Sequence, residues 1–201
     1  AQWPGVVEAM DLIGSTQVQG RATLVGNLCN GSPAADSVPA LIAAGASVTI
    51  ISPNGSRDVS VEDIPHSPGK TTLKKGELIS AINLPNQNTN GGDAYLRLIP
   101  RTEMDIAVVG CGVNLSVKEG IVSHARVSLG AVTAKVILVK EAADAIIGTS
   151  LDDEALTALS FAASAACKPI NDKRGTIEYR THVAGVLAKR AAQIAYKRAR
   201  Y

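Results

Sequence analysis

Aromatic side chains are scarce: 3% of 201 residues, with one Trp, one Phe and four Tyr. So few rings offer no platform on which nucleic-acid bases could stack. The core must be filled by Ala, Val, Ile and Leu. A surplus of one charge is also missing. Lys and Arg number 20 against 18 Asp and Glu, a net charge of +2. Neither a self-repelling disordered chain nor a nucleic-acid binder follows from that balance. Charged residues, at 19%, are fewer than in a typical soluble domain, which leaves room for a face buried against a partner.

Cysteine is sparse and odd in number: Cys29, Cys111 and Cys167, far apart and with no CxxC pair. That excludes a disulfide scaffold and argues against a zinc or iron–sulfur site made by this chain alone. Three small buried hydrophobes in a reducing compartment, the cytoplasm, is the expectation. No apolar run has the length of a membrane span. The opening Ala1-Gln2-Trp3-Pro4 lacks the basic and apolar regions of a secretory signal. It also lacks an initiator Met, which predicts processing or a longer gene product. His66, His124 and His182 are scattered without metal-ligand spacing. No GxSxG, HExxH or P-loop motif is present. No catalytic set of side chains is therefore legible.

What is present is a chain long enough for one large domain or two small ones. Val6–Ile13 has helical spacing, and a Gly- and Asn-rich stretch, Gly20–Asp36, follows it. Val38–Ala44 reads as a short apolar helix. Ser47–Ser52 reads as a strand before the turn Pro53-Asn54-Gly55. Val59–Ile64 is a short strand or a connection, and Glu77–Leu84 is a strand that Pro85 stops. Asn86–Gly92, without one apolar side chain, marks a domain boundary. Beyond it, Ala94–Ile99, Ala107–Val117, Ile121–Leu129 and Ala134–Val139 look like successive strands. A hairpin with Gly120 at positive φ joins the second and third. Helices are expected over Lys140–Ile147, Asp152–Ala166 and Thr181–Arg200.

The unusual segment is RATLVGNLCNGSPAAD, Arg21–Asp36. Gly26 and Gly31 have no Cβ, so a ligand can approach this backbone closely. Asp36 precedes a helix, where its carboxylate can accept from a ribose hydroxyl or cap the helix. The bland alternative is an ordinary Gly-rich turn with an Asx cap.

The segment resembles the second flavin-binding motif, ATIGGN followed by NASPASD, of the FAD-binding medium subunits of molybdenum hydroxylases (the carbon monoxide dehydrogenase / xanthine dehydrogenase family). Further stretches resemble the same family in the same order: Leu12–Gln17, Ser67–Thr71 with Gly76–Ile79, Tyr95–Val109, and Pro169–Tyr179 (PINDKRGTIEY). The likeness implies an α+β chain. Residues 1–86 would be the second α/β subdomain of a vanillyl-alcohol-oxidase/PCMH-like FAD-binding domain. Residues 93–201 would form a C-terminal domain, a small antiparallel sheet plus a helix bundle. It implies FAD contacts at Thr23, Leu24, Val25, Gly26 and Asn27, with Ser32 in the same loop and Asp36 as an acidic contact. It implies apolar packing on the cofactor by Ile13 and Ile79, and places Arg97 loosely beside the isoalloxazine.

Val25 replaces the first Gly of the family's Gly-Gly pair, and a β-branched residue resists positive φ. The family also has an N-terminal "AGGT" subdomain, and this sequence starts after it. Half of the cleft is then expected from a separate chain, or has been lost or cleaved. The resemblance implies electron transfer from iron–sulfur clusters on a small subunit, through FAD, to an external acceptor. A large subunit would hold the molybdenum cofactor. The alternative is a non-enzymatic docking module that does not hold FAD by itself. Its final helix would offer an apolar stripe (Val183, Val186, Leu187, Ala191, Ile194) with Lys189, Arg190, Lys197, Arg198 and Arg200 around it.

Overall fold

The structure, a computed structural model, describes residues 2–102 and 104–199; Arg200, the end of the expected last helix, lies outside them. The first half begins with α1 (Pro4–Asp11), whose Pro4 occupies the first helical turn, where its missing N–H costs nothing. The Gly- and Asn-rich stretch is not a loop. It folds into α2 (Thr16–Gln19) and α3 (Leu24–Cys29). Then come α4 (Ser37–Ala43), β1 (Ser47–Ser52), β2 (Gly55–Ser60), β3 (Pro65–Ser67), β4 (Lys70–Thr71) and β5 (Leu78–Asn83). These strands make a three-stranded sheet, β2-β1-β5, and a small β3-β4 pair. The polar strand β2 escapes period-2 reading because nearly all of it is exposed. The turn at Pro53-Asn54 pins it to β1, pairing Ser52 with Gly55.

The second half is a four-stranded antiparallel sheet: β6 (Gly91–Leu98), β7 (Val109–Lys118), β8 (Ile121–Gly130) and β9 (Ile137–Leu138). Glu119 and Gly120 both have positive φ, +51° and +80°, as a tight primed turn between β7 and β8 requires. The helices are α5 (Lys140–Asp144), α6 (Asp153–Ala165) and α7 (Ile177–Ala199). Asp152 caps α6 by accepting from the Ala155 N–H at 2.9 Å.

Strand β7 is buried along nearly its whole length because both of its faces are covered. Cys111, Val113, Leu115 and Val117 face a core shared with α6 and α7. On the opposite face Gly112 lies under α4. A Cβ there would meet Pro39 O at 2.6 Å and Ala40 Cα at 3.0 Å. Every residue of α4 is buried, as a helix that is apolar all round after Ser37 should be. Burial raises the thiols, Cys111 to about 12 and Cys167 to about 11, so both stay protonated and inert.

The halves also meet at α1 and β6. Asp93 on β6 is buried, and its Oδ2 accepts from the Val6 N–H at 3.2 Å. Burial raises the Asp93 carboxyl to about 6, against the Val6 and Gly5 amides and the Arg198 charge, which lower it. The folded chain therefore binds this proton more tightly than the unfolded chain. Its contribution to stability is present below pH 4 and is lost as pH rises from about 4 to about 6, by up to about 3 kcal/mol. Asp93→Asn removes that slope. Denaturant unfolding of both proteins at pH 4.5 and pH 7 checks this: the Asn variant gains on the parent at pH 7. A difference that does not change with pH would exclude Asp93 as the titrating group.

Candidate functional site

Thr23 starts the site. It is the N-cap of α3, and its Oγ1 accepts from the Gly26 N–H at 2.9 Å. The cap explains how a helix forms from LVGNLC, which contains weak helix formers. Val25 lies inside α3 and is not among the positive-φ residues, so its β-branch meets no backbone strain. Its side chain packs with Cys29 against the first-half core that Leu28 enters.

The N–H groups of Leu24 and Val25 precede the first intrahelical bond and are left for an acceptor outside the helix. Leu24 lines a depression of about 160 Å³ together with Met10, Ile13 and Thr23, and Val25 follows it in the chain. Ile13 is held there by the Gln19 amide, which donates to Ile13 O at 3.1 Å and Asp11 O at 2.8 Å.

Asn27 and Asp36 exchange the roles expected of them. The N-terminus of α4 is satisfied by Asn27, whose Oδ1 accepts from the Ser37 N–H at 3.2 Å and from Ser37 Oγ at 2.7 Å. Asp36 occupies the N-cap position but makes no capping bond. Its Oδ1 accepts instead from Arg97 Nη1 at 2.9 Å, and the same Nη1 donates to Leu12 O at 2.8 Å. The pair is largely buried, with side-chain exposures of 5% for Arg97 and 12% for Asp36. Burial raises the Asp36 carboxyl, and the charge and hydrogen bond of Arg97 oppose that rise.

The sequence-predicted residues thus fall into groups. Ile13, Thr23 and Leu24 share the depression. Asp36 and Arg97 form one ion pair, tethered to Leu12 at the end of α1. Gly26 and Asn27 serve α3 and α4. Two lie apart from the depression. Ile79 is 7% exposed in the first-half core, opposite Ile50 on β1. Ser32 lines a different cavity, with Arg180 on its wall. Sequence reasoning missed the Arg97–Asp36 pairing, since the two are far apart in the chain and meet only through β6. It also missed Arg180, which is 3% exposed within α7 and donates to Val108 O at 2.7 Å and Asp172 Oδ1 at 2.6 Å.

The donor set suits part of a dinucleotide: apolar side chains, a hydroxyl, unclaimed amides and a carboxylate whose Oδ2 takes no hydrogen bond from the described residues. The depression is smaller than the 300–1,000 Å³ of a complete pocket. Its size and lining suit one side of a cleft rather than a whole pocket.

Comparison with known proteins agrees with that architecture. The family described as "FAD binding domain in molybdopterin dehydrogenase" matches residues 1–87. "CO dehydrogenase flavoprotein C-terminal domain" matches residues 94–195. The carbon monoxide dehydrogenase medium chain of Afipia carboxidovorans is 34% identical over 200 residues, covering 100% of this chain and 69% of that protein. A putative xanthine dehydrogenase FAD-binding subunit of Escherichia coli K12 is 28% identical, covering 93% of this chain and 64% of that one. The solved CO dehydrogenase of Oligotropha carboxidovorans superposes with a TM-score of 0.94 at 33% identity, over 98% of this chain and 69% of that one. The chain belongs to the FAD-binding medium subunits of the molybdenum hydroxylases.

Proposed function

We propose that this chain forms one wall of an FAD site in a molybdenum-dependent dehydrogenase, with residues 1–86 as the cofactor half and 93–201 as the C-terminal domain. Bound FAD supplies the redox chemistry, taking electrons from iron–sulfur clusters and releasing them to an external acceptor. The chain's own part is to bind and orient. Thr23 fixes the start of α3, so that the Leu24 and Val25 amides point outward toward phosphate oxygens. Ile13 and Leu24 cover apolar surface and exclude water. Asp36, steadied by Arg97, offers Oδ2 to a hydroxyl. Ser32 and Ile79 support the reading only through the family likeness. The partners are a large molybdenum subunit and a small iron–sulfur subunit in the cytoplasm, with a further chain or segment completing the cleft. Among the described residues no helix is long and apolar enough to cross a membrane.

The Asp36–Arg97 pair beside the capped helix supports this reading most. Its test is flavin absorbance of the purified complex. Asp36→Ala is expected to lower bound FAD about tenfold, the loss of one charge-assisted hydrogen bond. Asp36→Asn, which keeps an acceptor, should lose less. Unchanged retention in both variants would remove Asp36 from the site. The small volume of the depression favours a second reading, a docking module that holds no FAD alone. A colourless chain that still assembles with its sister subunits would favour that one.

A further inference from the structure

A second and larger cavity, about 320 Å³, lies where the motif loop meets the C-terminal domain. Its walls come from Ser32-Pro33-Ala34, from Ala131–Ala134 after β8, and from Lys168–Ile170 after α6. Hydrogen bonds join these segments. The Ala131 N–H donates to Pro33 O at 2.7 Å, and the Lys168 N–H donates to Val132 O at 2.8 Å. The cavity is therefore preformed, and an occupant would not have to order its walls.

Half of the lining is Ala and Pro, and two isoleucines stand at the mouth, Ile106 55% and Ile170 70% exposed. Covering those side chains removes apolar surface from water and is favourable. A small molecule seated inside the cavity would leave both uncovered, whereas a polypeptide crossing the mouth would cover them. Charge gives the second part of the specification. Asp172 is already paired with Arg180 at 2.6 Å. Lys168 is exposed and has no ion pair among the described residues. Arg180 also lines the cavity, and its Nε is a buried donor without a partner. The occupant should present oxygen acceptors of negative charge beside an apolar group.

We propose that this cavity receives an extended segment of a sister subunit, with one apolar anchor side chain in the cavity and an adjacent Asp or Glu on Lys168. The proposal rests on the reading of the chain as a medium subunit. It would join the motif loop, the C-terminal sheet and the partner in one contact, as buried anchors in interface pockets do.

The test is co-expression with the large and small subunits. Ala134→Trp puts a bulky side chain on the exposed wall of the cavity, obstructs an occupant, and is expected to reduce recovered complex at least tenfold. Lys168→Glu, an exposed site that leaves the fold intact, is expected to reduce it about tenfold. Zero-length carbodiimide coupling of the parent complex should join Lys168 to a sister-subunit carboxylate next to an apolar residue. Reversing that carboxylate's charge should restore assembly to Lys168→Glu. Assembly unchanged in both variants, or coupling of Lys168 only to a second copy of this chain, would overturn the proposal. Flavin absorbance read on the same samples separates the two ideas. Loss of assembly by a Lys168→Glu chain whose thermal melt is unchanged bears only on docking, and loss of FAD in Asp36→Ala with intact assembly and an unchanged melt bears only on the cofactor site.

Discussion

Arg97→Ala should cost about 3–5 kcal/mol of stability at pH 8, because removing one member of a buried ion pair leaves the other uncompensated. The stranded group is Asp36, 12% exposed. Burial already raises its carboxyl, and Arg97 is what restrains the rise. Without Arg97 the folded chain binds the Asp36 proton still more tightly. An acid raised by folding contributes stability below its unfolded pKa and loses it as pH climbs through the folded value. The cost of the substitution should therefore shrink toward acid pH, where Asp36 is neutral. Denaturant unfolding at pH 5 and pH 8 measures both arms. Changing both residues together, Arg97→Leu with Asp36→Asn, should recover most of the stability, since replacing a buried pair by apolar groups is often neutral. It should not recover FAD if Asp36 contacts the cofactor. A cost below about 1 kcal/mol at pH 8, or one independent of pH, would mean the pair does not hold the start of α4 to β6.

Gly112→Ala is the other large effect, about 3 kcal/mol and a fall in Tm on the order of 10 °C. The added Cβ would sit 2.6 Å from Pro39 O, 2.8 Å from Pro39 C and 3.0 Å from Ala40 Cα. All three are main-chain atoms of α4, so no side-chain rotation relieves the overlap. Either α4 lifts from β7 or the strand bows. Lifting α4 moves Ser37 from Asn27 and Asp36 from Arg97, because both contacts are anchored at the start of that helix. FAD retention should fall with stability, which a change confined to the sheet would not cause. Thermal melts and flavin absorbance of the purified complex report the two losses. A Tm within about 2 °C of the parent would show that α4 can shift at little cost.

These effects turn on contacts that a linear reading does not reach. SVTIIS announces its strand by β-branched residues, and the structure gives β1 the same bounds, Ser47–Ser52. The turn at Pro53-Asn54-Gly55 and the hairpin at Gly120 were equally legible, since their chemistry is local. The helices α2 and α3 were not. Their residues have poor intrinsic helix preference, and α3 depends on the Thr23 cap and on Val25, Leu28 and Cys29 packing into a core built by later strands. Helix α7 begins at Ile177 rather than Thr181, and that extra turn brings Arg180 to Asp172 and Val108. The family motif identified Thr23, Asp36 and Arg97 as candidates. That Asp36 and Arg97 meet each other follows only from where β6 runs.

The packing of α1 on β6 bears on how the chain reaches this structure. Strand β6 is the open edge of the C-terminal sheet. Its Tyr95 N–H is taken at 3.1 Å by Glu8 of α1, and its Asp93 carbonyl at 2.7 Å by Arg198 of α7. Arg198 also pairs with Glu8, so the first helix and the last close over the same strand. An uncovered edge is a template for pairing with another chain. During synthesis the guard from α7 emerges long after β6 itself, about 80 residues further along the chain. Between those moments the nascent chain exposes an adhesive strand, so its yield should depend on how quickly α7 arrives and docks.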